Sequence, residues 1–197
     1  MARPRTFDED RVLEAAMHAF WANGYEATST RDLCEAVGLD RSSVYNAFTS
    51  KHELFKRVLI RYVNATTDTQ LEILQDPTRS AAERIRALLG EIVDGEMENR
   101  RSGHPGCLTV NTTVEFAGRD AEIAALLERD LARRLEALRT VIETGRRAGD
   151  ITSTRDSGDL ARFLNAVIAG IRVTAQGGAD RAALESIAAT AVDALTA

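Results

Sequence analysis

Residues 24–55, GYEATSTRDLCEAVGLDRSSVYNAFTSKHELF, carry the densest set of helix start and stop signals in this chain. Three polar residues stand where they can cap helices, each just ahead of an apolar stretch: Ser29, Asp40 and Ser50. Ser29 and Ser50 each have an acidic residue three positions further on, which is the spacing of a capping box. Gly38 supplies a tight turn. The segment therefore predicts two short helices joined at a glycine, followed at once by a third helix.

The second of these helices, residues 41–48, divides into an apolar and a polar face. Val44 and Phe48 recur four positions apart and are expected to pack on the neighbouring helices. The side chains left facing outward are Arg41, Ser42, Ser43, Tyr45 and Asn46. A tight turn, an apolar pair and an exposed polar face are what a helix-turn-helix needs to place one helix in a DNA major groove. The segment therefore predicts a DNA-reading unit.

The rest of the chain is also helical in pattern, because apolar residues recur at three and four positions without alternating β-branched runs. Capping residues predict a first helix between Asp8 and Gly24, a long helix over about residues 51–75, and five more helices after it. We expect an all-α chain of about nine helices. Residues 1–50 form the predicted helix-turn-helix domain and residues 51–197 a helical C-terminal domain.

The 197 residues carry a net charge of −5, which is unevenly distributed. Residues 1–61 hold nine Lys/Arg and nine Asp/Glu, so residues 62–197 hold the whole acidic excess. A surface for nucleic acid is therefore expected at the N-terminal end, where Arg3 and Arg5 precede the first carboxylate, Asp8.

Other function classes find little support in the sequence. Cys34 and Cys107 are far apart, and no CxxC or histidine spacing suggests a metal site, so reduced thiols and no metal are expected. The three histidines have no nucleophile or phosphate loop beside them, which argues against an enzyme, and no cofactor is expected. Because no apolar run approaches a membrane span, a cytoplasmic protein without a membrane partner is expected.

Several of these residues also resemble the tetracycline-repressor (TetR) family of bacterial regulators. The pattern reads G-Y-x-x-T from Gly24, D-L from Asp32, and G-L-x-x-S-S-V-Y-x-x-F-x-S-K-x-x-L from Gly38. The match covers about the first 60 residues, and the remainder matches the family more in helix count than in motif. It implies a regulator that binds double-stranded operator DNA, with a C-terminal domain for ligand binding and dimerisation.

The resemblance and the side-chain chemistry together predict the contacts to DNA. Arginine and asparagine suit bidentate contacts to guanine and adenine, whereas hydroxyl groups and lysine suit phosphates. The expected base contacts are Arg31, Arg41, Ser42 and Asn46; the expected phosphate contacts are Thr30, Ser43, Tyr45 and Lys51; and Arg3 and Arg5 form a minor-groove arm. Taken singly, an arginine or serine of this kind is more often a solvated charge or a cap, and it is the combined pattern that favours DNA contacts. Tyr45 is as readily a half-buried aromatic.

A reading helix of two turns contacts few bases, so two chains related by a twofold axis, on a palindromic operator, are expected. The last two helices are the candidates for the dimer face, because they mix bulky with small residues that permit close approach. The predicted interface residues are Phe163, Leu164, Val167, Gly170 and Ile171. The same stripe could close the core of a monomer, and the family resemblance favours the dimer.

The segment HPGCLTVNTTVEF, residues 104–116, interrupts an apolar helix with polar groups, which is typical of a pocket that orients a small molecule. Cys107 is expected in the first turn of that helix, where the macrodipole favours a thiolate. The string G-C-L-x-V-N-T also resembles a subgroup of the family that responds to electrophiles such as quinones and aldehydes. The predicted pocket residues are Cys107, Asn111, Thr112, Glu115 and Phe116. A buried, inert Cys107 is the alternative.

Together these features predict a dimeric repressor that a small-molecule inducer releases from its operator, with the helix of residues 51–75 transmitting the change. Two alternatives stay open: a transcriptional activator, and a protein-interaction module that keeps the fold without binding DNA. Salt dependence tests the second, because operator binding weakens steeply with added salt.

Overall fold

The computed structural model describes residues 8–104, 106–116 and 118–196. Over those residues the chain forms nine α-helices and no strand, in agreement with the predicted fold class. The helices are α1 (Glu9–Asn23), α2 (Thr30–Val37), α3 (Arg41–Phe48), α4 (Lys51–Gln75), α5 (Ala81–Arg101), α6 (Leu108–Phe116), α7 (Ala121–Ala148), α8 (Ser157–Gln176) and α9 (Arg181–Thr196). None of these described helices is both long and apolar enough to cross a membrane.

Capping side chains define most of the helix starts. Ser29 and Ser80 close full capping boxes with the acidic residue three positions on. At Ser50 the structure shows one half of the predicted box, because the Ser50 N–H already donates to the Phe48 carbonyl oxygen at 2.6 Å. The residues whose side chains accept a hydrogen bond from the first turn are Asp8, Ser29, Asp40, Ser50, Ser80, Asp120, Asp156 and Asp180.

Two apolar cores lie along the chain, and α4 and α7 contribute to both. The N-terminal core joins α1, α2 and α3 to the first half of α4, and it also takes in Leu108 and Phe116 of α6. The C-terminal core joins α5, α7, α8 and α9, with Leu74 from the end of α4. The predicted boundary at residue 50 therefore coincides with the start of α4 and not with the edge of a core. Helix α6 packs directly against the N-terminal helices.

Candidate functional site

The turn between α2 and α3 fixes the angle of α3 against the N-terminal core. Gly38 ends α2 in the left-handed region, at φ 68° and ψ 29°, which only glycine adopts readily. The Leu39 N–H donates to a carbonyl oxygen of α2 at 3.2 Å and closes the turn. Asp40 then caps α3 by accepting the Ser43 N–H at 2.7 Å, and a hydrogen bond from the Ser42 hydroxyl lowers the pKa of Asp40. Both the glycine turn and the cap are as the sequence predicts.

Helix α3 presents one apolar and one polar face. Val44 and Phe48 are buried in the N-terminal core, with 4% and 1% of their surface exposed. Arg41, Ser42 and Asn46 are exposed on the opposite side of the helix, and we call these three residues the reading surface. The core therefore holds α3 by one face and leaves three of the predicted base contacts accessible.

The hydroxyl groups predicted to contact phosphates lie beside the reading surface. Thr30 Oγ1 lies 3.4 Å from Tyr45 Oη, and the Arg41 guanidinium lies 5.4 Å from the centre of the Tyr45 ring. The hydrogen bond with Thr30, helped by Arg41, lowers the pKa of Tyr45. Tyr45 and Ser43 are half-buried, so Tyr45 can serve both as a packed aromatic and as a phosphate contact.

Lys51 and Arg31 are held in different ways. Lys51 begins α4, and its Nζ lies 4.3 Å from the centre of the Tyr25 ring and 3.4 Å from the Glu26 carbonyl oxygen. Arg31 Nε donates to Glu35 Oε1 at 2.8 Å, although 86% of the Arg31 side chain is exposed. A contact from Arg31 to DNA must therefore either break the ion pair with Glu35 or use the guanidinium N–H groups that Glu35 does not accept. The predicted arm residues Arg3 and Arg5 lie outside the described residues.

The N-terminal region has equal numbers of positive and negative side chains, but only some of its cations form ion pairs. Three cations of α4 are paired with nearby carboxylates: Lys56 with Glu53, Arg57 with Glu9, and Arg61 with Asp10 and Glu14. Over residues 8–61 the cations in no ion pair with another described residue are Arg11, Arg41 and Lys51. Two of these three are predicted DNA contacts, so uncompensated positive charge is concentrated there.

Helix α6 is tied to the loop between α1 and α2 by the carboxylate of Glu115. Its two oxygens accept the backbone N–H groups of Tyr25 and Glu26 at 2.9 and 2.8 Å. The Phe116 ring lies 5.1 Å from the Tyr25 ring and stacks on Phe55 at 5.3 Å, measured between ring centres. The end of α6 is therefore fixed to the N-terminal core by both polar and aromatic contacts.

Further polar contacts join the same two regions. His52 Nε2 lies 2.6 Å from Asp120 Oδ2, and Trp21 Nε1 donates to the Gly106 carbonyl oxygen at 2.9 Å. His18 Nδ1 lies 2.8 Å from His104 Nε2, so one of the two rings must accept. Burial, and the charge of His18, lower the pKa of His104, which favours the neutral ring that this contact needs.

Cys107 lies just outside α6, in a buried polar cluster. Its carbonyl oxygen accepts the Asn111 N–H at 2.9 Å, which makes Cys107 the residue before the first turn and not, as expected, within it. Its side chain is buried, and Tyr62 Oη donates to Sγ at 3.5 Å. Burial and the neighbouring Cys107 raise the pKa of Tyr62, so the phenol keeps its proton. Glu96 and Arg172 complete the cluster.

Two cavities of about 400 Å³ each flank this cluster. The first, which we call the α6–α8 cavity, lies between α6, α7 and α8, and the second lies between α1, α4 and α5. Of the five predicted pocket residues, Phe116 lines the α6–α8 cavity. Glu115 binds the α1–α2 loop instead, and Thr112 is buried, with no hydrogen-bond partner for its hydroxyl among the residues that the structure describes. The residues that line the α6–α8 cavity include Val110, Thr113, Leu127, Leu131, Asn165 and Arg172.

The predicted dimer stripe on α8 is divided between two faces. Leu164 and Ile171 are fully buried in the C-terminal core, so they serve the protomer itself. Phe163 and Gly170 are exposed and Val167 is half-buried, and these remain available to a partner. Val173, 55% exposed, extends that outer face. Within the described residues no group of three or more His, Cys, Asp or Glu side chains is placed to hold a metal ion.

Family models match both halves of the chain. "Bacterial regulatory proteins, tetR family" matches residues 12–58, and "Tetracyclin repressor-like, C-terminal domain" matches residues 81–191. The chain belongs to the TetR family. The HTH-type transcriptional repressor ComR of Escherichia coli (strain K12) is 32% identical over 191 residues, which cover 95% of this TetR-family chain and 89% of ComR.

Solved structures agree with this assignment. A cysteine mutant of the TetR-family regulator CifR, in complex with 26-bp double-strand operator DNA, is 32% identical, with a TM-score of 0.80 and coverage of 98% and 99% of the two chains. The reduced form of E. coli NemR has a TM-score of 0.82 at 20% identity, with coverage of 92% and 93%, and shows the shared fold. The TetR-family protein described here is thus a DNA-binding transcriptional regulator and not an enzyme.

The contacts between α6 and the N-terminal core of this TetR-family protein had no local signal in the sequence. Glu115 is separated by 90 residues from Tyr25, and His52 by 68 from Asp120. Polar residues in an apolar helix predict a pocket as readily as they predict a cap for a distant loop. Only the packing of α6 on α4 decides between the two for Glu115.

Proposed function

We propose that this protein is a dimeric transcriptional repressor that binds a palindromic operator and that a small-molecule inducer releases. The observation that carries the proposal is the reading surface: Arg41, Ser42 and Asn46 are exposed on a helix whose opposite face is fixed in the core. ComR is named a repressor, and a CifR mutant has been solved in complex with operator DNA, which supports the same role here. Such a protein works in the cytoplasm, where its DNA is.

The proposed division of labour follows the side-chain chemistry. The reading surface and Arg31 contact base edges, where bidentate arginine and asparagine pairs discriminate between bases. Thr30, Ser43, Tyr45 and Lys51 bind phosphates and fix the register, and Arg3 and Arg5 enter a flanking minor groove. Residues 1–50 read DNA, and residues 51–197 bind the inducer and form the dimer.

Selection of bound duplexes from a random DNA pool tests this proposal. We expect an inverted repeat to be recovered, with half-sites about one helical turn apart or a multiple of it. The affinity for that repeat should fall steeply as salt is raised, since several phosphates are neutralised. A pool without enrichment at low salt would favour the protein-interaction module. Transcription that rises when the protein occupies the recovered site would favour the activator.

The α6 contacts supply a route from inducer to DNA. Val110 and Phe116 line the α6–α8 cavity, while Glu115 of the same helix binds the α1–α2 loop. A ligand that fits only one position of α6 therefore shifts the population of N-terminal domain orientations by its difference in affinity for the two states. In this proposal α6 acts together with α4, which carries the reading unit at its N-terminus.

The outer face of α8 is the proposed dimer surface. Phe163, Val167 and Gly170 lie on it, and Val173 extends it. At Gly170 an added Cβ would meet no atom of the described residues within 4 Å, so this part of the protomer leaves the position open. Exposed bulky side chains beside an open glycine suit a second helix packed at close range.

Gly170→Arg is expected to convert the dimer to a monomer without unfolding it, because the protomer has room for the side chain and a closely packed partner does not. Light scattering at micromolar concentration should give twice 21.5 kDa for the wild type and 21.5 kDa for the variant. Gly90→Arg is the matched control, since Gly90 is also exposed on a helix and a Cβ added there would meet no described atom within 4 Å. A monomeric wild type, or a dimeric Gly170→Arg protein, contradicts the proposed interface.

Cys107 is the proposed reaction site if the inducer is an electrophile. Conjugate addition to a quinone forms one S–C bond, and the thiol proton passes to the reduced ring. The thiol is buried beneath Tyr62, whose side chain lines the cavity between α1, α4 and α5. An electrophile therefore reaches Sγ by displacing the phenol, which breaks a contact between α4 and the start of α6.

Cys107→Ser should abolish release by quinones and aldehydes while leaving operator affinity in their absence within about twofold, because serine is close to cysteine in size. Operator affinity is measured by fluorescence anisotropy with and without each electrophile, and the adduct by mass spectrometry. Cys34→Ser is the matched control, since Cys34 is the only other cysteine and is half-buried on α2. Equal release in the wild type and Cys107→Ser excludes the thiol mechanism.

A further inference from the structure

Arg172 of α8 is a buried cation whose hydrogen-bonding capacity is not used up. Its surface is 7% exposed, and Nε has no hydrogen-bond partner among the described residues. The nearest carboxylate oxygen is Glu96 Oε1, at 3.7 Å from Nε, which is an ion-pair distance and too long for a hydrogen bond. A buried donor left in this state costs free energy that a suitable acceptor would recover.

A second arginine that lines the same cavity, Arg134, has hydrogen-bond acceptors for its guanidinium group. Arg134 donates from Nε to Asp130 at 3.0 Å and from Nη1 to Asn165 at 2.6 Å. Asp130 also accepts a hydrogen bond from the Thr67 hydroxyl at 2.6 Å. Both members of the Arg134–Asp130 ion pair therefore have further hydrogen-bond partners. Arg172 lacks such partners among the described residues, and the difference marks it as the group with spare donor capacity. It lies on the wall between the α6–α8 cavity and the cavity between α1, α4 and α5, and it lines both.

The surface of the α6–α8 cavity is mainly apolar. Its volume of about 400 Å³ lies within the usual range for small-molecule sites. Apolar side chains from three helices contribute most of its surface. The polar groups on its wall besides Arg172 are Thr109, Thr113, Asp120, Glu128, Arg134 and Asn165. The apolar lining includes Val110, Val114, Phe116, Leu127, Leu131 and Ile168. A molecule that fits this space buries a hydrocarbon body and keeps its polar atoms at one end.

We propose that the α6–α8 cavity binds an organic carboxylate with a compact apolar body, and that Arg172 receives its carboxylate group. The inference rests on the proposed ligand-released repressor and names the chemical class of its inducer. A planar carboxylate matches the guanidinium fork and supplies the acceptor that Nε lacks. A neutral ligand of the same shape fills the apolar part but leaves the buried charge as it is.

Glu96 is the group with which the ligand competes. Burial raises the pKa of Glu96, partly opposed by Arg172, so this carboxyl gives up its charge more easily than an exposed glutamate does. Its contact with Arg172 is also long, at 3.7 Å. An incoming carboxylate thus meets a weakly held competitor, and removing that competitor should strengthen binding.

The test compares acids with their neutral amides by isothermal titration calorimetry on the full-length protein without DNA. The probes are 3-phenylpropionate and octanoate, each against its primary amide. We expect the wild type to bind at least one acid about tenfold or more tighter than its amide, as a charge-assisted hydrogen bond in a buried site requires. Glu96→Gln should widen that ratio. Thr113→Val, which alters the same cavity wall without changing charge, should keep it.

Arg172→Gln combined with Glu96→Gln removes both buried charges, so neither is left unpaired. This double variant should bind acid and amide about equally, and circular dichroism establishes that it is folded. Equal binding of acid and amide by the wild type overturns the inference, as does a preference for acids that survives in the folded double variant. Failure of both acids to bind the wild type overturns it too.

Operator release is measured separately, by adding each probe to the protein–DNA complex. If acids bind through Arg172 yet leave the protein–DNA complex intact, the proposed carboxylate site is supported and the proposal of a ligand-released repressor is refuted. If a neutral compound releases the operator and no acid binds more tightly than its amide, the proposal of a ligand-released repressor is supported and the carboxylate site is refuted.

Discussion

Replacing Arg41 and Asn46 together by alanine should lower operator affinity at least about thirtyfold, because each loses a bidentate base contact worth about 1–3 kcal/mol. Both side chains are exposed, so the free energy of unfolding should change by less than about 0.5 kcal/mol. Fluorescence anisotropy at one fixed salt concentration measures the affinity, and urea unfolding measures the stability.

Two further variants show whether the loss is specific to the reading surface. Arg101→Ala removes an exposed arginine of α5 whose ion-pair partner is its neighbour Glu98, and operator affinity should not change. Glu35→Gln frees Arg31 from the carboxylate that now holds it at 2.8 Å and should raise operator affinity. An unchanged affinity in the Arg41 and Asn46 double variant would mean that α3 does not read the operator.

The helices and the reading unit could be predicted from sequence because their determinants are local. A cap acts within one turn, and the glycine at position 38 acts within two residues. The nine helices of the described residues and the exposed face of α3 follow from such rules. The half-formed box at Ser50 is the exception, because its N–H is already used by a backbone carbonyl in the preceding turn.

The ligand side of the molecule was less predictable because its contacts join residues far apart in the chain. Leu164 and Ile171 share a helix with Phe163 and Gly170, and period alone does not tell a face that closes the core from one that is left outside. Arg172 shows the same limit. Its position in the sequence of α8 does not distinguish it from an exposed arginine. The burial of its side chain and the unpartnered Nε are seen only when α5, α6 and α8 are packed together.

Phe48→Ala should destabilise the protein by about 3–5 kcal/mol, the usual cost of deleting a buried phenylalanine. The side chain is 1% exposed on the inner face of α3, and the Arg57 guanidinium lies 5.5 Å from its ring centre. The cavity left behind lies directly beneath the reading surface, so operator affinity should fall as well, through loss of the folded unit. Urea unfolding at a fixed protomer concentration gives the stability, because dissociation of the proposed dimer would otherwise shift the midpoint.

Asn46→Ala is the control for this variant, two residues away on the same helix. It should lose operator affinity at wild-type stability, whereas Phe48→Ala should lose stability first and recover part of its affinity as the temperature is lowered toward the maximum of the stability curve. The two faces of α3 are then separable by experiment: one is required for binding and the other for folding. Two outcomes would contradict this description of α3: unfolding of Phe48→Ala at the wild-type midpoint, or destabilisation of Asn46→Ala as large as that of Phe48→Ala. Either would mean that α3 does not pack as the structure shows, and the argument that its exposed residues contact the major groove would fail.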